Sequence, residues 1–211
     1  MLNLLFSDPI SFLLWVMAVV YAITIHEFSH VLAAYGLGDS TGKDMGRLTL
    51  NPLAHIDWLG FFMLLLVGFG WGNPAPYNPY NLRNKKWGTT IISLAGPFSN
   101  IASLVVFGLA FKFLRIYTNL SPDNLLLQFL MFLSLVNMVL LVFNLIPIPP
   151  LDGSKVLFAA LPDRFNEFKY RFEKNGPFVL LGLVILDSFL PGYSIFGSLF
   201  QWVWNLVYWL F

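Results

Sequence analysis

The chain contains no cysteine and few charged residues. Of its 211 residues, 11% are charged, whereas a soluble domain typically has about 25%. Without cysteine the protein forms no disulfide bond and no thiolate metal site. The formal net charge of +1 gives no basic surface of the kind that nucleic-acid binding requires, so we expect no nucleic acid among its partners.

Apolar residues make up 57% of the chain, and 22 residues are Phe. A globule with this composition would aggregate in water, which indicates that a lipid bilayer surrounds most of the protein. We therefore expect an α-helical polytopic membrane protein in which residues 1–211 form a single domain. The first basic residue is Lys43, so the N-terminal apolar run lacks the positive start of a signal peptide and is expected to be a retained helix.

Three apolar runs are long enough to cross a bilayer, which requires about 20 residues. They occupy residues 9–37, 88–116 and 124–146, and Asp8 followed by Pro9 is a plausible helix start. A fourth run, residues 58–69, is too short to cross, so we expect a re-entrant or interfacial segment there.

The connecting segments differ in composition from the apolar runs. Residues 46–51 alternate like a short strand and suggest a β-hairpin. The proline-rich stretch 147–153 breaks the third span, and a short helix is expected to resume through residue 161. The core of the domain is therefore expected to span about 9–161. A charged loop at 162–176 then leads to two further C-terminal membrane helices, at 177–190 and 195–211, which are separated by Pro191 and Gly192.

The basic residues predict the orientation in the membrane, because Lys and Arg accumulate on the cytoplasmic side. If residues 58–69 do not cross, nine basic residues share one side and two lie on the other. The N-terminus is then outside the cell membrane, and the nine-residue group is cytoplasmic. That group comprises Lys43, Arg47, Arg83, Lys85, Lys86, Arg164, Lys169, Arg171 and Lys174, against Lys112 and Arg115.

The first span contains the sequence His26-Glu27-Phe28-Ser29-His30. Residues four apart share a helix face, so both imidazoles can reach one Zn²⁺ ion. Glu27 is then placed to hold the water that the ion activates and to accept its proton. Ionisable residues in an apolar span are costly and indicate function by default.

Tetrahedral zinc requires a further protein ligand, for which the sequence offers two candidates. Asp152 follows the proline-rich break, where an irregular backbone at membrane depth lines a cavity; its alternative role is the N-cap of the next helix. His55 lies in a polar loop, where a structural hydrogen-bonding role is the alternative.

Four motifs, in this order and spacing, resemble the site-2 protease family of intramembrane zinc metalloproteases. They are His26–His30, residues 51–57 (NPLAHID), residues 95–100 (AGPFSN) and residues 143–153 (FNLIPIPPLDG). The resemblance implies a core of three transmembrane helices, zinc ligation by His26, His30 and Asp152, Glu27 as the catalytic base, and cleavage of a substrate's transmembrane segment near the cytosolic face. The chain has no room for a PDZ or CBS domain and resembles the minimal members. It departs from the family pattern at Ser154, where a second Gly is common, and at Asn73, where Lys is common.

For several other residues the sequence leaves a functional and a structural role open. In the resembled family the residue matching Asn144 is associated with the active site, where its amide can donate to an oxyanion; an interhelical hydrogen bond is the alternative. Gly96 and Asn100 are interpreted as packing residues. The strand-like residues Arg47, Leu48, Thr49, Leu50 and Asn51 are expected to hold an unwound substrate by β-augmentation, unless the hairpin merely covers the membrane surface.

The leading functional prediction is an intramembrane zinc endopeptidase that binds one Zn²⁺ per chain and acts on transmembrane segments. The main rival is a non-catalytic metal-binding membrane protein, either a metal transporter or an inactive protease relative. Transport would predict ionisable residues along a path through the spans. Here they cluster at one depth, and Glu27 has no ligand role, which favours catalysis.

Overall fold

The computed structural model describes residues 2–67, 70–84, 87–189 and 194–211. Its first helices are α1 (Leu2–Ser7), α2 (Pro9–Gly36), α3 (Thr41–Asp44) and α4 (Trp58–Val67). The next are α5 (Gly88–Tyr117), α6 (Leu125–Asn144) and α7 (Gly153–Ala160). The chain continues with α8 (Asn166–Phe189) and α9 (Ile195–Val207), and short 3-10 turns lie at Pro52–Ala54, Pro79–Asn81, Asp163–Phe165 and Tyr208–Leu210.

Helices α2, α5 and α6 are each long and apolar enough to cross a membrane, as the sequence predicts. The Asp8 carboxylate caps α2 by accepting the N–H of Ser11, and Pro9 occupies the first turn, where its missing N–H costs nothing. Asn124 caps α6 in the same way through the N–H of Leu126. The helix α6 ends at Asn144, before the proline-rich stretch that cannot continue it.

The three spans pack against one another and form the core of the protein. Ala18 of α2 contacts Phe111 of α5 and Leu127 of α6 in one buried cluster. The C-terminal Leu210 is buried in a second cluster beside Leu104 of α5. This arrangement places one face of each span toward the other two, and the remaining apolar faces are exposed as expected for contact with lipid.

The fourth apolar run is the helix α4, which has 10 residues and is too short to span. Phe69, at the end of the predicted segment, lies outside the described residues, as do Lys85, Lys86, Pro191 and Gly192. The expected β-hairpin is not confirmed: residues 46–51 form bends and irregular backbone. The isolated β-bridge that the structure describes joins Ile56 to Gly72 instead, so the backbone pairing goes to the segment that follows α4.

The predicted charged loop at 162–176 is wrong, because most of it belongs to α8. Glu167 and Arg171 form an ion pair one turn apart, and such charged side chains are good helix formers. Neither α8 nor α9 is among the helices of the described chain that qualify as membrane spans; α9 has only 13 residues. The two additional C-terminal membrane helices are therefore not confirmed.

Candidate metal centre

His26 and His30 lie one turn apart on α2, and both side chains are buried. The helical repeat places their rings on the same face, and the two Nε2 atoms are 3.0 Å apart. The sequence pattern therefore brings two potential ligand atoms to one point within a helix that is long and apolar enough to cross a membrane.

Asp152 joins this pair from the start of α7, after the irregular segment that follows α6. Its Oδ2 lies 3.1 Å from His26 Nε2 and 3.2 Å from His30 Nε2. This oxygen is buried and has no hydrogen-bond partner among the residues that the structure describes. A tetrahedral zinc ion with ligands at about 2.0 Å holds its ligand atoms about 3.3 Å apart. The three donor atoms thus fit a zinc ion closely.

The other nitrogen of His30 determines which tautomer faces this point. Its Nδ1 lies 2.7 Å from the backbone oxygen of Ile92 in α5. Because a carbonyl oxygen only accepts, Nδ1 carries the hydrogen and Nε2 keeps its lone pair for a metal.

His26 is oriented by a side chain that the sequence interpretation assigned to packing. Its Nδ1 lies 2.6 Å from Asn100 Oδ1, and Asn100 is completely buried in α5. Asn100 therefore contacts a potential metal ligand directly. The sequence shows a carboxamide in an otherwise apolar span, but it does not show which residue that carboxamide contacts.

Gly96 lies one helical turn before Asn100 and allows α5 to approach both histidines. A Cβ atom at this position would lie 2.5 Å from His26 Cε1 and 2.6 Å from His30 Nε2. No side chain fits at these distances, so the site requires glycine here. This is a more specific role than the helix packing expected from the sequence.

Glu27 lines a cavity of about 740 Å³, and His26, His30 and Asp152 line the same cavity. Its Oε2 accepts the backbone N–H of Ala75 at 2.9 Å, which ties α2 to the segment at residues 70–78. Apolar side chains of α2, α4 and α6 form a large part of the wall, including Trp15, Val19, Ile23, Phe61, Leu64, Phe132, Leu135, Val136 and Val139. The cavity therefore combines a cluster of ionisable groups with an apolar lining.

His55 is completely buried but is not part of this cluster. Its Nε2 lies 2.7 Å from the backbone oxygen of Thr49 and closes the loop between them. Of the two candidates for the third ligand, the structure brings Asp152 to the histidine pair and leaves His55 with a local hydrogen bond.

The remaining predicted site residues lie in two places. Asn144 lines the cavity, and its Nδ2 donates to the backbone oxygen of Leu140 at 3.0 Å. Residues 47–51 are not among those that line the cavity. Arg47 is buried and donates through Nη2 to the backbone oxygen of Asn73 at 2.6 Å.

Comparison with known proteins agrees with this geometry. The family model described as "Peptidase family M50" matches residues 110–186. A Bacillus subtilis (strain 168) protein named "Putative zinc metalloprotease YwhC" is 34% identical over 176 residues, which are 81% of this chain and 79% of that protein. The Mycolicibacterium smegmatis protein named "Putative zinc metalloprotease Rip2" is 30% identical over 207 residues, 95% of this chain and 73% of that protein.

A shorter similarity reaches Protease RseP of Photorhabdus luminescens, which is 35% identical over 77 residues, 33% of this chain and 34% of that protein. No solved structure matches the chain significantly. Two of these relatives are at least 30% identical over the aligned residues, and the chain covers more than two thirds of each of them. The chain therefore belongs to peptidase family M50, the site-2 protease family.

Proposed function

We propose that this protein is an intramembrane zinc endopeptidase that hydrolyses peptide bonds in or near the transmembrane segments of other membrane proteins. The observation that carries the proposal is the convergence of His26 Nε2, His30 Nε2 and Asp152 Oδ2 within 3.2 Å of one another. His26 and His30 lie on a helix that is apolar enough to cross a membrane, and Glu27 of the same helix lines the cavity that all three ligands line. Membership of a peptidase family supports the reaction, and relatives named as zinc metalloproteases support the metal.

In this proposal His26, His30 and Asp152 hold one Zn²⁺ per chain. Three protein ligands leave the fourth position of a tetrahedral site open, as in other catalytic zinc sites. When bound, zinc supplies Lewis-acid polarisation of the scissile carbonyl and lowers the pKa of a water molecule toward about 7.

Glu27 acts as the general base. The Ala75 N–H holds its Oε2 at the wall of the cavity that the three ligands line, which leaves Oε1 for the reacting proton. Glu27 accepts the proton of the attacking water and delivers it to the leaving amine. Glu27 directly follows His26 in the sequence, so α2 carries both the catalytic base and two of the proposed metal ligands.

Asn144 is proposed to stabilise the oxyanion of the substrate. It lines the same cavity, and its amide group carries two hydrogens. One of them is engaged by Leu140 within α6, and the other is available for a substrate oxygen.

The apolar lining supports a transmembrane segment as the substrate. A helix keeps its peptide bonds within its own hydrogen bonds, so the substrate must unwind before it reaches Glu27. The expectation that Arg47, Leu48, Thr49, Leu50 and Asn51 hold this unwound segment stays a prediction. The contact from Arg47 to Asn73 supports an indirect role, in which these residues brace the segment at 70–78 against the cavity.

The orientation in the cell membrane follows from the basic residues. Apart from Lys155 in α7, the basic residues divide into nine on one side and two on the other. We therefore propose that the N-terminus is outside and that the active site faces the cytoplasmic half of the bilayer. The metal ligands of α2 lie in its C-terminal half, which is the cytoplasmic end in this orientation.

Purified protein in lipid vesicles, with a model single-span substrate, tests this function. We expect cleavage that stops when a chelator removes zinc and returns when one equivalent of Zn²⁺ is added back. A soluble peptide that carries the same cleavage sequence without the apolar segment is the matched control and is expected to be a poorer substrate. Cleavage that continues with less than a few percent of the zinc bound would contradict the proposal.

A further inference from the structure

Two buried carboxamides connect the candidate metal centre to the backbone of α6. His26 Nδ1 lies 2.6 Å from Asn100 Oδ1, and Asn100 Nδ2 lies 2.8 Å from Asn137 Oδ1. Asn137 Nδ2 in turn lies 2.7 Å from the backbone oxygen of Leu133. Both asparagines are completely buried, so no water competes for these contacts.

The backbone oxygen of Leu133, at the end of this series of hydrogen bonds, sets the direction of each of them. The carbonyl of Leu133 only accepts, so Asn137 must donate through Nδ2 and turn its Oδ1 toward Asn100. Asn100 then donates through its own Nδ2 and offers Oδ1 to His26. His26 therefore carries its hydrogen on Nδ1, and the lone pair of Nε2 faces Asp152.

We infer that Asn137 is a positioning residue for the metal centre, which acts through Asn100 to fix the tautomer and the ring orientation of His26. The inference rests on the proposed zinc site and adds a residue two hydrogen bonds away from it. Partners of this kind behind a ligating histidine change metal affinity by about 10- to 100-fold.

A purely structural role is the alternative, because carboxamides also join helices within a membrane. Asn100 belongs to α5 and Asn137 to α6, and these two helices pack together. The two roles differ in their consequences: a link between helices affects folding, whereas a positioning residue affects zinc affinity in protein that is still folded.

The first test compares Asn137→Leu with Ser134→Ala. Ser134 lies one turn away on α6 and is equally buried, and among the residues that the structure describes its hydroxyl bonds only to the oxygen of Leu130, within its own helix. Zinc dissociation constants are measured by competition with a chelator in folded, purified protein. We expect affinity about tenfold weaker in Asn137→Leu and unchanged in Ser134→Ala; equal affinities in both variants would overturn the inference.

The second test asks whether Asn137 acts through Asn100. Asn100→Leu should weaken zinc binding by about 10- to 100-fold, and adding Asn137→Leu to it should weaken binding no further. A double variant whose losses simply multiply would show that Asn137 acts by another route.

An isosteric variant keeps the inference testable if leucine prevents folding at either position. In Asn100→Asp the carboxylate still accepts from His26, although it no longer donates to Asn137. We expect zinc binding at least as tight as in the wild type, and we expect Asn137→Ala, the smaller replacement, to lose its effect in the Asn100→Asp background. Weak binding by Asn100→Asp, or an undiminished effect of Asn137→Ala in it, would contradict the relay.

Failure of the relay is distinguishable from failure of the proposed function. If wild-type protein binds no zinc, or if His26→Ala binds zinc as tightly as wild type, the metal centre itself is misassigned. If wild type binds zinc and His26→Ala does not, while Asn137→Leu behaves like Ser134→Ala, only the relay is wrong.

Discussion

Gly96 of α5 lies directly against His30 of α2: a Cβ atom at residue 96 would be 2.6 Å from His30 Nε2. Real Cβ atoms do not approach other atoms so closely, and Gly96 and His30 both belong to packed helices. The absence of a side chain at this position therefore lets the second span close one wall of the metal centre.

Gly96→Ala is expected to weaken zinc binding by about tenfold or more, because the methyl group displaces the ligand rings. Gly182→Ala is the matched control, since Gly182 also lies within a helix and a Cβ there meets no atom within 4 Å. The control should bind zinc normally and be slightly more stable, as alanine is the better helix former. Zinc titration of both variants checks the expectation, and normal binding by Gly96→Ala would contradict the described packing.

The identity of the third ligand is decided by the metal content of two variants. Asp152→Ala removes one of three proposed protein ligands and should reduce bound zinc from about one ion per chain to a small fraction. His55→Ala should keep its zinc, although the loss of a buried hydrogen bond to Thr49 costs about 1–3 kcal/mol of stability. Elemental analysis of the purified variants measures both results, and the reverse pattern would assign the ligand to His55.

Asp39, just after the end of α2, holds the segment that contains Asn78 and Asn81. Burial opposes the ionisation of its carboxylate, but hydrogen bonds from Thr41, Asn78 and Asn81 prevail and lower its pKa below the ordinary 3.8. A lowered pKa means that the stabilisation is complete above the ordinary value and disappears as the pH falls through the lower, folded value.

Asp39→Asn is therefore expected to lower the free energy of unfolding by about 1.5–3 kcal/mol at neutral pH, since it removes charge-assisted hydrogen bonds. The difference from wild type should shrink as the pH falls below 3.8. Unfolding curves recorded across this range test the dependence. Asp44→Asn is the control, because Asp44 is exposed and accepts a bond only from nearby Ser40 among the described residues; an equal loss in both variants would refute this role of Asp39.

The sequence predicted the parts of the site that depend on local periodicity. His26 and His30 share a helix face because of the 3.6-residue repeat, and the prolines that end α6 indicated an irregular segment before Asp152. The role of Asn100 was not predictable in this way, because its partner lies on another helix and is selected by tertiary packing.

The strand expected at residues 46–51 is a case in which a local sequence pattern does not predict the structure. Alternation of apolar and polar residues describes a strand only if another strand is available to pair with it. In the described chain the isolated β-bridge joins Ile56 to Gly72. The carbonyl oxygen of Thr49 accepts a hydrogen bond from the side chain of His55. The charged stretch before Pro177 is helical, and Glu167 and Arg171 form an ion pair one turn apart on it. The number of charged residues in this stretch does not indicate that spacing.

We propose that Glu27 is the proton acceptor at a zinc site that does not need it as a ligand. The most direct test measures zinc content and cleavage of a model transmembrane substrate in the same preparations of wild type and Glu27→Gln. We expect one zinc per chain in both proteins and a decrease in the cleavage rate of about 10²- to 10⁴-fold in the variant, because glutamine keeps the shape of the side chain but takes no proton. Cleavage by zinc-loaded Glu27→Gln at a rate close to that of wild type would contradict the account.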